Sequence, residues 1–140
     1  MSNSTIGHHA ALIYTMVMMS GADGGMTDAE LATIGDIVTH LPIFEDFDPD
    51  RLTSVCADCA AILAEPDGFQ TALDLIASAL PEPLNETGYA LACDVLAADR
   101  RLKAEELRLR ELLRRALGVG KLAAAAIERA ARARYHRLRR

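Results

Sequence analysis

Apolar residues recur at intervals of three and four along most of the chain, the spacing that gathers side chains on one face of a helix. Proline, glycine and capping residues divide this pattern into about seven segments. The predicted helices run over about residues 6–20, 27–40, 49–64, 69–80, 84–97, 103–117 and 120–137. No stretch alternates between apolar and polar residues for long enough to predict a strand. Because the linkers are short, we expect an all-α, single compact bundle.

Several helix ends carry specific signals. Thr27 followed by Glu30 is a capping-box pattern, in which each residue satisfies the other's backbone amide. Asp48 before Pro49 predicts a cap followed by a first-turn proline. Gly118 is placed to end the sixth helix in the left-handed conformation.

Composition supports a helical domain with a core of its own. Hydrophobic residues make up 51% of the 140 residues, but aromatic residues only 4%, so the apolar mass is largely Ala, Leu, Ile, Val and Met. We divide the chain into an N-terminal extension, residues 1–7, and a helical domain, residues 8–140. The apolar stretch 10–19 is about half of the roughly 20 residues that cross a bilayer. With three cysteines, an odd number, a disulfide framework is not expected, and a cytoplasmic location fits.

Charge is strongly polarised along the chain. Residues 1–99 carry 16 acidic side chains and one basic side chain, whereas residues 100–140 carry 14 basic and four acidic ones. Three interpretations are open: the two halves neutralise each other within the fold, the basic segment binds an anionic partner, or it is a solvated face.

An internal repeat appears when the sequence is shifted by 76 residues. Residues 22–31 then align with residues 98–107, and Ala, Asp, Glu and Leu match at four positions. Each copy joins two predicted helices of similar length. The shared feature is an aspartate in the turn and a glutamate seven residues later, so the repeated unit is a helix-turn-helix hairpin.

These residues resemble the TerB-like tellurite-resistance family, whose domain also occurs at the N-terminus of a membrane-anchored J-domain cochaperone. The resemblance covers about residues 8–138 and rests on Ala22, Asp23, Gly24, Met26 and Glu30 in the first copy, on Ala98, Asp99, Leu102 and Glu106 in the second, and on the closing Leu117-Gly118-Val119. It implies an all-helical fold, a role in the response to tellurite or related stress, and acidic residues that hold a cation. Arg100 departs from the pattern, which has glycine at that position.

The acidic residues of the two turns are the candidate metal ligands. If the hairpins pack with approximate two-fold symmetry, then Asp23, Glu30, Asp99 and Glu106 meet. Carboxylates about 4 Å apart repel by roughly 4 kcal/mol at an effective dielectric of 20, so such a cluster needs a counterion. Oxygen ligands alone favour a divalent cation such as Ca²⁺, Mg²⁺ or Mn²⁺.

Two other interpretations of these residues stay open. Glu30 is explained by its capping box alone, and the aspartates can bond turn amides. Alternatively, the turns form a protein-binding surface. Lys103 occupies the capping position in the second copy, so capping explains Glu106 less well.

Cys56 and Cys59 have the spacing of zinc ligands, but the chain lacks a second ligand pair, so we expect small core residues. His8 and His9 are a weak metal candidate. Met16, Met18, Met19 and Met26 are expected to be core rather than a soft-metal surface.

Neither a nucleophile motif nor a phosphate-binding loop is present, which argues against an enzyme. In the last helix we expect arginines at the rim of an apolar stripe that packs on the core. The stripe consists of Val119, Leu122, Ala126, Ile127, Ala130 and Leu138.

We therefore expect a non-enzymatic stress-response binding or scaffold protein. The divalent cation is the sharper hypothesis; the alternative is a protein- or membrane-interaction module that uses its polarised surface without metal. Nucleic acid is not an expected partner.

Overall fold

The computed structural model describes residues 6–20, 26–99 and 104–138. Within these ranges the chain forms seven α-helices and no strand, which confirms the all-α fold class. The helices are α1 (His8–Ser20), α2 (Asp28–His40), α3 (Leu52–Leu63), α4 (Gly68–Ala79), α5 (Asn85–Ala98), α6 (Ala104–Ala116) and α7 (Lys121–Arg134). Short 3₁₀ turns cover Pro42–Phe44, Pro49–Arg51 and Glu82–Leu84. None of the described helices has the length and apolar content needed to cross a bilayer.

Helix α1 forms the centre of the core. All ten residues from Ala11 to Ser20 are buried, so apolar side chains are covered on every face of the helix and not on one face alone. The hydroxyl groups of Thr15 and Ser20 bond within the helix: Thr15 donates to the Leu12 carbonyl at 2.7 Å, and Ser20 donates to the Met16 carbonyl at 2.9 Å. These two hydroxyl groups therefore need no partner outside α1.

The other helices are arranged around α1 and α5. Helix α1 packs most extensively against α5 and also contacts α3 and α4, which pack on each other. Helix α7 packs chiefly on α5. The α1–α5 pair therefore lies between the α3–α4 hairpin on one side and α7 on the other.

The predicted caps are present. Thr27 and Glu30 form the full capping box at the start of α2, and the Asp48 carboxylate accepts from the Asp50 amide at the first turn after Pro49. Gly118 has a φ of 68° and follows the last turn of α6, where the Val119 amide donates to the Arg114 carbonyl. This hydrogen bond is the signature of a Schellman C-cap.

In the turn between α3 and α4 the backbone passes close to itself at Gly68. A Cβ atom at Gly68 would lie 2.0 Å from the Ile62 carbonyl oxygen, so only glycine fits there. Asp67, immediately before it, has a φ of 59°. The backbone thus reverses by using a left-handed residue next to a residue without a side chain.

Six residues were expected to form the packing stripe of the last helix, and this prediction is wrong for four of them, which are exposed. Val119 is buried and Ile127 is half-buried, but Leu122 and Leu138 are 87% and 89% exposed, and Ala126 and Ala130 are also exposed. The helix packs through residues on the side away from Leu122, namely Ala123, Ala124, Ile127, Glu128, Ala131 and, at its end, Tyr135. Alanine gains little from burial, so other contacts decide which alanines face inward.

Candidate functional site

The four acidic residues of the repeated turns differ in how far the structure describes them. Asp23 lies outside the described residues. Glu30, Asp99 and Glu106 lie within them, on α2, at the end of α5 and on α6.

Glu30 has a defined structural role. Its Oε1 atom accepts from the Thr27 amide at 2.8 Å, and its own amide donates to the Thr27 hydroxyl at 3.1 Å. The helix start is therefore stabilised by the side chain that was also considered as a metal ligand. One Glu30 oxygen is already used, which leaves Oε2 for any other ligand.

Asp99 and Glu106 lie in a more protected environment. Asp99 is the half-buried C-cap residue of α5, and Glu106, in the first turn of α6, is only 5% exposed. Asp99 and Glu106 each have an interaction partner. A carboxylate at a helix N-terminus also gains from the positive end of the helix dipole.

The described residues contain no group of three or more His, Cys, Asp and Glu side chains arranged to hold a metal ion. Because Asp23 lies outside these ranges, the four-carboxylate cluster stays a prediction.

A polar cluster that was not predicted from the sequence joins α5, α6 and α7. Tyr89 is fully buried on α5, and its hydroxyl donates to Glu128 Oε2 on α7 at 2.5 Å. Arg110 Nη2 on α6 lies 3.6 Å from the other oxygen of Glu128. Burial, followed by the hydrogen bond to Glu128, raises the pKa of Tyr89 above its ordinary value, so the phenol stays protonated and donates. The signal in the sequence was Glu128, a charged residue on the side of the last helix that packs on the core.

Other basic side chains bond near the ends of α6 and α7. Arg114 forms two hydrogen bonds to Glu111, at 2.9 and 2.6 Å, and also donates to the Val119 carbonyl. Hydrogen bonding from Arg114 lowers the pKa of Glu111 to about 2. Arg134 on α7 forms an ion pair with Asp94 on α5. The Arg134 pair joins the basic and acidic parts of the chain, as the internal-neutralisation interpretation expects.

That neutralisation is incomplete on the outer face of α7. We define this face by its exposed residues Leu122, Ala125, Ala126, Arg129, Ala130 and Ala133. Arg132 is exposed at its edge. Among the described residues, neither the Arg129 nor the Arg132 side chain has an ion-pair or hydrogen-bond partner.

The acidic surface lies on the other side of the α1–α5 pair. The outer face of α3 is formed by exposed small residues, namely Thr53, Ser54, Ala57, Ala60, Ala61 and Ala64. Exposed acidic side chains lie on α3 itself, in the turns at its two ends and on α4: Asp58, then Asp50, Glu65 and Asp67, and Asp74. Arg51 is the one basic residue within residues 50–74.

The cysteines are buried core residues, as expected. Cys59 is fully buried and Cys56 is 4% exposed, and burial raises the pKa of Cys59 to about 12. Because the thiolate is the reactive and metal-binding form, neither thiol is prepared for redox or zinc chemistry. The buried Met16, Met18 and Met19 confirm the core assignment for those methionines.

His9 is engaged in a structural contact. Its Nε2 atom lies 3.0 Å from both the Ile43 carbonyl oxygen and Asp46 Oδ1, so this nitrogen carries the proton. The ring also stacks near Phe44 and Phe47, with centroid separations of 5.8 and 5.4 Å. This contact attaches the start of α1 to the segment after α2.

The comparisons with known proteins do not add a family. No family model, curated protein or solved structure matches the chain. The functional inference therefore depends on the surface and the buried polar groups described above.

Proposed function

We propose that this protein is a non-enzymatic binding module that contacts an acidic surface of another protein through the outer face of α7. The observation that carries this proposal is the composition of that face: Leu122 is 87% exposed and lies on the same side of the helix as Arg129. An exposed leucine beside a cation that has no ion-pair partner among the described residues has no evident role in the fold. Apolar contact and charge together are what a protein-binding helix face uses.

Two further observations support a protein partner over a membrane. The face consists mainly of alanine, which buries little area in lipid. Its charge is also limited to Arg129 with Arg132 at the edge, whereas lipid-binding helices carry larger basic clusters. The TerB-like resemblance supplies the proposed context, a cytoplasmic response to tellurite or related stress.

The proposal is tested by chromatography on immobilised poly-glutamate, which stands in for an acidic protein surface. The chain has a net charge of −5, so an average electrostatic effect would repel it from this matrix. We expect retention at about 0.05 M salt and release at about 0.5 M, because salt screens exposed charges. Arg129→Gln/Arg132→Gln should abolish retention.

Arg108→Gln/Arg115→Gln is the matched control, since it also removes two positive charges and both residues are exposed on α6, outside the face. It should elute as the wild type does. Absence of retention at low salt, or equal loss in the control, would contradict the proposal.

A second function is favoured by a separate observation, the burial of Glu106. We propose that the two turns hold a divalent cation, Ca²⁺, Mg²⁺ or Mn²⁺, with Asp23, Glu30, Asp99 and Glu106 as ligands. The helix bounds support the repeat, because α6 begins and ends 76 residues after α2 does. A largely buried carboxylate in the same helical position as Glu30 is consistent with a site between the two hairpins.

Calorimetric titration with each of these ions tests this second proposal. We expect saturable heat below millimolar metal, lost in Asp23→Asn/Asp99→Asn. Asp28→Asn is the control, since Asp28 is exposed in the same region of α2. Heat that survives the double substitution, or no heat at all, would remove the cation proposal.

A further inference from the structure

The outer face of α7 and the outer face of α3 have similar compositions, and the charged residues near them have opposite signs. Both are helix faces in which alanine predominates, and alanine allows two helices to approach near the lower end of the usual 8–10 Å interaxial range. Acidic residues flank the α3 face, whereas the α7 face carries arginine.

We infer that the acidic partner of α7 is a second copy of this chain, which binds through the outer face of its α3. This inference rests on the proposed function, because it names the partner of the same face. Arg129 and Arg132 lie opposite Asp58 and Glu65 in the contact, and Leu122 covers the small residues of the partner's α3.

Charge complementarity decides between a second copy and other occupants. Asp58 on α3 is exposed, as are Asp50, Glu65 and Asp67 in the turns at its ends and Asp74 on α4, and Arg51 is the one basic residue within residues 50–74. Like charges would repel if two α3 faces or two α7 faces met, so a symmetric dimer through either face is disfavoured. The contact is therefore heterologous, with α7 of one copy on α3 of the next.

The position of the two faces sets the form of the assembly. They lie on different sides of the α1–α5 pair, so each bound copy still presents a free α7 or α3 face. Association then grows into short chains as concentration rises. Because one helix on one helix buries less than a standard interface of about 1,600 Å², the binding is weak and reversible.

Sedimentation velocity over a range of concentrations tests the inference on the full chain. At about 0.05 M salt the average mass should rise from that of one chain to at least twice that value, and at about 0.5 M salt it should return to one chain. A single chain at every concentration in low salt would overturn the inference.

Sedimentation of charge-reversed variants tests whether these two faces form the contact. Arg129→Glu/Arg132→Glu and Asp58→Arg/Glu65→Arg should each sediment as one chain, because each variant brings like charges together. An equimolar mixture of the two should regain association, since the reversed faces again carry opposite charges. A mixture that stays monomeric would overturn the inference.

Glu82→Arg/Glu86→Arg is the matched control for net charge. It changes the charge of the chain by the same amount as the α3 variant, at exposed acidic positions outside the α3 face. It should associate as the wild type does. Loss of association in this control would show a general charge effect and overturn the specific contact.

Failure of this inference is distinguishable from failure of the proposed function. A chain that is retained on poly-glutamate through Arg129 and Arg132 but never self-associates keeps α7 as a binding face and excludes a second copy as its partner. Binding to phosphatidylglycerol vesicles by a chain that stays monomeric would likewise exclude the second copy and favour a lipid surface.

Discussion

Helices α1 and α7 are nearly the same length, 13 and 14 residues, and both are rich in small or apolar side chains. In α1 ten consecutive residues are buried, whereas in α7 only Ala124 and Ala131 are. Large side chains such as Leu12 and Met16 make burial strongly favourable on every side of α1. In α7 alanine makes burial and exposure differ little in free energy, so polar contacts orient the helix.

The two helices therefore have different roles, stability for α1 and, as proposed, binding for α7. Helix α1 supplies stability through apolar burial. Helix α7 is attached through Tyr89–Glu128 and Arg134–Asp94, which leaves one face available for binding. Substitutions on the two helices should separate these roles.

The largest effect is expected in α1. Leu12 is fully buried, and one of its methyl groups lies near Gly88 on α5. Leu12→Ala should lower the free energy of unfolding by about 2–5 kcal/mol, because it removes apolar contacts and leaves a cavity between the two central helices. Urea denaturation followed by circular dichroism measures this change. A loss below about 1 kcal/mol would show that α1 is not the centre of the core.

Alkaline pH should affect the same buried region. Burial raises the pKa of Cys59 from 9.0 to about 12, so the unfolded chain releases this proton before the folded chain does. The contribution of this thiol to the free energy of unfolding is therefore fully present below pH 9. It falls by about 1.4 kcal/mol per pH unit as pH rises from 9 towards 12. Because burial also raises the pKa of Cys56 and of Cys93, the contribution of Cys59 is the difference between the slopes of the wild type and of Cys59→Ala in denaturation at pH 8 to 11. Cys59→Ala should make the profile shallower, and an unchanged slope would contradict the assignment.

The attachment of α7 should show an intermediate effect. Tyr89→Phe removes the hydroxyl that donates to Glu128 but keeps the buried ring. We expect a loss of about 1–3 kcal/mol, because the partly buried carboxylate keeps its desolvation cost and loses a donor. Denaturant midpoints of this variant and of Tyr135→Phe, which lies at the end of α7, provide the comparison. Equal midpoints for Tyr89→Phe and the wild type would exclude a role for the cluster.

The ion pair between Asp94 and Arg134 should contribute less. Asp94→Asn removes the negative charge of the pair; the Arg134 side chain is 52% exposed and the Asp94 side chain 15% exposed. Because solvent reaches the Arg134 end, the pair should contribute no more than about 1 kcal/mol, and the small decrease should shrink in about 0.5 M salt. Thermal denaturation at low and high salt measures it. A loss that persists at high salt would point to packing by Asp94 in place of ion pairing.

Much of this arrangement was predictable from the sequence because it depends on local chemistry. The helix ends follow from Thr27, Asp48 and Gly118, and each cap acts over a few residues of chain. The orientation of α7 was not predictable, because it depends on contacts between residues about 40 positions apart, such as Tyr89 with Glu128. Because alanine occurs on all sides of α7, the hydrophobic pattern of its sequence does not distinguish the inward face from the outward face.

The smallest effect is expected at Leu122, and it completes the comparison with Leu12. Leu122 is 87% exposed, so Leu122→Ala removes almost no buried area and should change the free energy of unfolding by no more than about 0.5 kcal/mol. The same substitution should weaken self-association, because the leucine covers the α3 face of the second copy. Urea denaturation and sedimentation velocity on one preparation measure both quantities. Unchanged stability with reduced association would assign Leu122 to binding, whereas a stability loss comparable to that of Leu12→Ala would show that α7 packs through this face after all.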